Sequence, residues 1–118
     1  MKNSKQYDLE DRTLEFARRV RALVKKLSKT IGNIEDGKQV IRSSGSVGAN
    51  YIEANESLSK KDFVMRIKIC RKEPKESRYW LRLLDIGRNS EYEEERKALI
   101  QEATELMNIF GSILRKSE

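Results

Sequence analysis

Six cations, Lys68, Arg71, Lys72, Lys75, Arg78 and Arg82, recur at spacings of one, three and four residues. On a helix turning about 100° per residue they share one sector about 120° wide. Tyr79 projects into the same sector. Positive charge interleaved with an aromatic ring suits phosphate contact combined with base stacking. Arg18, Arg21 and Lys25, continued by Lys29, form a similar line nearer the N-terminus. Two readings stay open. The cations are either the solvated face that any soluble helix carries, or a surface that positions a phosphate backbone. Even in the second reading the contact selects no base sequence.

Other chemistry finds less support. The chain has no histidine, which removes imidazole acid/base catalysis and the Cys/His zinc arrangements. Its single cysteine, Cys70, forms no internal disulfide and falls on an apolar stripe, a core position. Glu73 and Glu76, or Glu53 and Glu56, lie three apart and place two carboxylates on one helix face. Di-metal bundle sites need Glu-x-x-His motifs, so pairing of Glu73 and Glu76 with Lys72, Arg66 or Lys97 is the expected arrangement. The six glycines form neither G-x-G-x-x-G nor a P-loop, and Ser43, Ser44 and Ser46 have no adjacent base. The expectation is therefore a non-enzymatic protein without metal or cofactor.

The elements that must carry these residues follow from composition and period. The 118 residues include one proline and six glycines, and 37% are hydrophobic and 37% charged. Such a chain favours long amphipathic helices in one domain over an all-β arrangement. No apolar run approaches the roughly 20 residues of a membrane span, so a cytoplasmic location is expected. The net charge of +6 is uneven: residues 60–90 hold ten basic and four acidic side chains, whereas residues 91–118 hold four and seven.

Apolar periodicity predicts four helices, over about 9–29, 37–58, 60–87 and 91–116. The first carries Thr13, Phe16, Ala17, Val20, Leu23, Val24 and Leu27 on one stripe. Residues 30–37 read as a connection whose Ile31 and Ile34 tuck back onto the bundle. The second carries Val40, Ile41, Ser44, Val47, Gly48, Tyr51 and Leu58 through a tract rich in small residues. Helix propensity opposes a helix there, by about 1 kcal/mol per glycine, but the periodicity continues on both sides and small side chains admit a close neighbour. The third runs Phe63, Ile67, Cys70, Pro74, Ser77, Leu81, Leu84 at heptad spacing behind a capping pattern at Ser59 and Asp62, with Gly87 as its stop. Pro74 predicts a bend near residues 70–74. A second capping pattern, Ser90 and Glu93, opens the fourth helix. Short connections join the four into an all-α, antiparallel up-down-up-down four-helix bundle. Trp80 falls off the heptad stripe and widens the apolar surface, as a subunit contact would.

The stretch Gln39-Val40-Ile41-Arg42-Ser43 leading into Ser46-Val47-Gly48-Ala49-Asn50-Tyr51-Ile52-Glu53-Ala54, followed by Asp62-Phe63, Lys72-Glu73 and Glu76-Ser77-Arg78-Tyr79-Trp80-Leu81, resembles the four-helix-bundle family of bacterial 23S rRNA intervening sequences. It is also similar to the accessory proteins of diversity-generating retroelements. The resemblance implies a bundle, a ring-like homopentamer and no enzymatic activity. In the retroelement relatives basic surfaces bind nucleic acid and a protein partner. It marks Ser46, Gly48, Asn50, Tyr51, Glu53, Glu73, Glu76 and Trp80 as signature positions with structural roles. Pro74 departs from the pattern, which usually has a small helix-compatible residue such as alanine there. The expected function is binding of RNA or other nucleic acid by a helical oligomer. The rival is a protein-interaction scaffold in which the basic strip meets an acidic surface, such as the Glu91 to Glu95 cluster of a neighbouring subunit.

Overall fold

The computed structural model describes residues 4–117, with side chains described from residue 9 onward. Four helices account for nearly all of it: α1 (Ser4–Lys26), α2 (Ile31–Asn55), α3 (Lys60–Leu83) and α4 (Ser90–Ser117). Each connection is too short to cross the bundle, so successive helices run antiparallel. They form a square in chain order. α2 and α3, and α3 and α4, lie closest, the α1–α4 seam is the most open, and α1 and α3 stand on a diagonal. The resulting rod measures 46 × 28 × 19 Å.

The expected stripes face this interior. Phe16, Val20 and Leu23 of α1, Val40 and Val47 of α2, Ile67, Cys70 and Leu81 of α3, and Leu99, Leu106 and Phe110 of α4 are at most 1% exposed. At about 1.5–3 kcal/mol per fully buried large apolar side chain, this seam dominates the favourable side of folding. The small-residue tract is helical, and its purpose is close approach. Ser43 and Ser77 are wholly buried and their hydroxyls meet at 2.7 Å between α2 and α3. A Cβ added at Gly48 would stand 2.9 Å from Thr13 Oγ1, and one at Gly37 would stand 2.9 Å from Val24 Cγ1, so α1 and α2 touch where side chains are absent. α3 runs through Pro74, whose fully buried ring offsets part of the roughly 3 kcal/mol that an interior proline costs a helix.

Several boundaries differ from expectation. The supposed connection over residues 30–37 belongs mostly to α2, because Thr30 caps its start and Thr30 Oγ1 accepts from the Asn33 N–H at 3.1 Å. Ile31 and Ile34 are exposed on these first turns, and the residue turned inward is Asn33, 5% exposed. α1 ends at Lys26 rather than near Lys29, and α2 ends at Asn55, leaving Leu58 outside the core. α3 stops at Leu83, four residues before Gly87, which takes a positive φ of 66° in the connection. Ser59 caps α3 as expected, its hydroxyl accepting from the Asp62 N–H at 3.1 Å. α4 is capped by Asn89 instead of Ser90: Asn89 Oδ1 accepts from the Tyr92 N–H at 3.0 Å.

Candidate nucleic-acid interface

α3 meets α2 along one edge and α4 along the other, which leaves one outward face, and the cationic sector falls there. Lys68, Arg71, Lys72, Lys75 and Arg82 are all exposed. Among the described residues none of the five has a carboxylate within 4 Å, whereas Arg12, Arg19, Arg42 and Arg96 all do. The sixth, Arg78, marks the border with α4: its guanidinium donates to Thr104 Oγ1 at 3.1 Å and reaches Met107 Sδ at 3.7 Å. Gly111 on α4 leaves a shelf beneath Arg71 and Arg115, the Arg71 Cδ lying 3.8 Å from where a Cβ would stand. At 1.5 Å per residue the free cations span about 21 Å of helix axis.

Tyr79 lies within this face and is 57% exposed. Its ring meets the edge of Trp80 at a centroid distance of 5.1 Å and an interplanar angle of 77°. Trp80 is half-buried, packed against the core, and its Nε1–H donates to Glu76 Oε1 at 3.2 Å. Glu76 in turn is ion-paired with Arg42, which also donates to the buried Glu73 at 3.4 Å. Glu73 and Glu76 are thus held across the α2–α3 seam by Arg42, not by the expected Lys72, Arg66 or Lys97. Arg66 donates to Asn50 Oδ1 at 3.0 Å, and Lys97 sits 3.9 Å from Glu94. The sequence did not point to Arg42 as their partner, because the pairing depends on how α2 is rotated against α3.

Of the remaining signature positions, Ser46, Asn50 and Tyr51 hold the scaffold together. Asn50 donates to the Ser46 carbonyl and hydroxyl, each at 2.9 Å, while accepting from Arg66. Tyr51 is buried with its ring edge-on to Phe110 at 5.6 Å, and burial raises its phenol pKa. Glu53 is exposed on the outer side of α2. Cys70 is wholly buried, its Sγ–H donates to the Val47 carbonyl at 3.5 Å, and desolvation pushes its pKa up to about 12. Among the described residues no three carboxylate or thiol groups gather in a metal-binding arrangement. No helix among them is long and apolar enough to cross a membrane.

The N-terminal cations occupy a different place. Arg18 and Arg21 line a groove of about 480 Å³ between α1 and α2, with Glu10 and Asp11 at its other end. Its floor is Ala17, Gly45 and Gly48, and half-exposed Leu14 and Ile52 form its sides. Lys25 is exposed one turn beyond. Because α1 and α3 are diagonal, these residues do not join the α3 strip, and the ten cationic and aromatic candidates divide into two surfaces.

The profile of the 23S rRNA-intervening sequence protein family matches residues 5–112. The chain belongs to that family. Among solved structures, a protein of unknown function of the S23 ribosomal protein family from Bacteroides thetaiotaomicron is 34% identical, with a TM-score of 0.77 over 90% of this chain and 97% of that one. A comparison with curated protein sequences finds no match. The family description names no catalytic activity.

Proposed function

We propose that this family member is a non-enzymatic, oligomeric bundle that binds RNA or another nucleic acid through the outer face of α3. The observation that carries the reading is the contrast in pairing. Arg12, Arg19, Arg42 and Arg96 are paired with glutamates, while five cations gathered on one face of α3 are left without a carboxylate partner among the described residues. Such a face attracts a polyanion by releasing its counterions. Binding rather than catalysis is supported by the fate of the reactive groups. Glu73 and Glu76 are both engaged by Arg42, and Cys70 is sealed in the core.

Oligomerisation, for which the family resemblance implies a pentamer, is supported by the α1–α2 groove. Its small-residue floor and half-exposed Leu14 and Ile52 offer apolar area, and acidic and basic ends flank Leu14. The groove lies on the α1–α2 side of the bundle and the cations on the outer face of α3, so the two surfaces are distinct. The scaffold reading is less well served. Of the acidic cluster it needs, Glu93, Glu94 and Glu95 already pair with Arg96, Lys97 and Arg19 of the same chain.

The test is binding of a mixed-sequence RNA measured against salt. About five neutralised phosphates predict a log-log slope near −3.5 for a single strand. The triple change Lys68→Glu, Lys72→Glu, Lys75→Glu abolishes binding while helical content and mass stay unchanged. No binding at low salt, or binding indifferent to salt, overturns the reading. If the triple variant instead dissociates an oligomer that never bound RNA, the scaffold is correct. Light scattering should return five times the 13.8 kDa chain mass.

A further inference from the structure

We infer that the α3 face takes a single strand rather than a duplex, with one unpaired base stacked on the Tyr79 ring. The inference rests on the nucleic-acid reading above and adds the ligand's class and the residue that recognises it. A phosphate-only surface needs no exposed aromatic, and leaving a tyrosine 57% exposed keeps apolar ring area in water.

The ring is also held in place. Arg42 fixes Glu76, Glu76 accepts the Trp80 indole N–H at 3.2 Å, and Trp80 packs edge-on against Tyr79 at 5.1 Å. Three residues thus fix the platform before any ligand arrives, so little ordering entropy remains for binding to spend. Around it on the helix surface stand Lys72 and Lys75 on the N-terminal side and Arg82 on the C-terminal side, with half-exposed Leu83 one turn beyond. This combination, an aromatic face set among cations that follow a backbone, is the arrangement that holds single strands. A duplex buries its base faces in its own stack and could use only the cations.

The sole tryptophan of the chain adjoins the platform, so its emission reports on the site. The experiment titrates the full-length protein with a dye-labelled twelve-nucleotide RNA of mixed sequence and with the same RNA annealed to its complement, reading anisotropy and Trp80 fluorescence. The single strand should bind about tenfold more tightly and quench Trp80. Tyr79→Ala should weaken it about tenfold with an unchanged salt slope, and Tyr79→Phe should restore it. Equal affinity for the two probes, or an unaffected Tyr79→Ala variant, overturns the stacking and leaves phosphate binding by α3 standing. Dissociation of an oligomer by Tyr79→Ala with RNA affinity intact makes the aromatic pair a subunit contact and also overturns it. Failure of the wild-type protein to bind either probe removes both the inference and the function it rests on.

Discussion

Asn33 and Asp85 exchange two hydrogen bonds at 2.8 Å, the Asn33 carboxamide donating to the Asp85 carbonyl and accepting from the Asp85 N–H. The same carboxamide donates to the Ser28 carbonyl at 3.0 Å. One side chain therefore clasps the α1–α2 connection to the α3–α4 connection at one end of the bundle. It serves backbone groups of two connections that have no place in a helix ladder.

Removing the clasp takes the protein partner away from three part-buried backbone groups. Asn33→Ala should lower the unfolding free energy by roughly 2–4 kcal/mol, from three bonds at about 1 kcal/mol each with a penalty for the orphaned partners. Asn33→Asp keeps the acceptor but aims a carboxylate at two carbonyls, and it should cost at least as much. Urea unfolding checks both. A loss under about 1 kcal/mol would mean that water replaces the carboxamide.

Glycines separate by what surrounds them. Gly48→Ala places a Cβ 2.9 Å from Thr13 Oγ1, and Thr13 is itself pinned by hydrogen bonds to the Leu9 and Glu10 carbonyls. The roughly 1 kcal/mol gained in helix propensity is outweighed by overpacking of about 1–3 kcal/mol, so net destabilisation is expected. Gly32 has nothing within 4 Å of such a Cβ. Gly32→Ala should stabilise α2 by a few tenths to about 1 kcal/mol. Thermal unfolding of the two variants should move in opposite directions.

The contrast between Gly48 and Asn33 also shows what the chain discloses before it folds. Period alone located four helices and their buried stripes, because apolar residues at three- and four-residue spacing have one way to hide. It carried α2 through Ser43 to Ala49 against propensity, and the packing at Gly48 and Ser43 gives the reason. It missed the start of α2, where two glycines and exposed Ile31 imitate a loop and the true signal, Thr30 three residues before Asn33, is short. The cationic face was legible as an angle on one helix. The platform behind Tyr79 was not, since Arg42 and Glu76 are 34 residues apart and meet only once α2 and α3 have chosen their rotation.

Cys70 gives a prediction in pH. Burial holds its pKa near 12, above the ordinary value of 9.0, so the unfolded chain loses its proton first. The thiol's contribution to stability is therefore complete below about pH 9 and disappears as the pH rises from 9 towards 12. In the native protein at pH 8 the thiol should resist a disulfide reagent, reacting only at the rate of global opening. Denaturant should expose it fully, and prompt reaction without denaturant would show that this part of the core opens locally.

Pro74 tests how the family's pattern and this chain's packing trade against each other. An alanine there restores the amide that bonds back to the Cys70 carbonyl and recovers most of the roughly 3 kcal/mol that an interior proline costs. Against this stand two lost methylenes of buried ring, about 0.8 kcal/mol each, and the greater freedom of the unfolded chain, about 0.4–1 kcal/mol. The balance is small and positive. Pro74→Ala should stabilise the bundle by about 0.5–1 kcal/mol, read as a higher urea midpoint at unchanged slope. A variant less stable than the native chain would mean that the neighbours of Pro74 are shaped around its ring and that alanine leaves a cavity they do not fill.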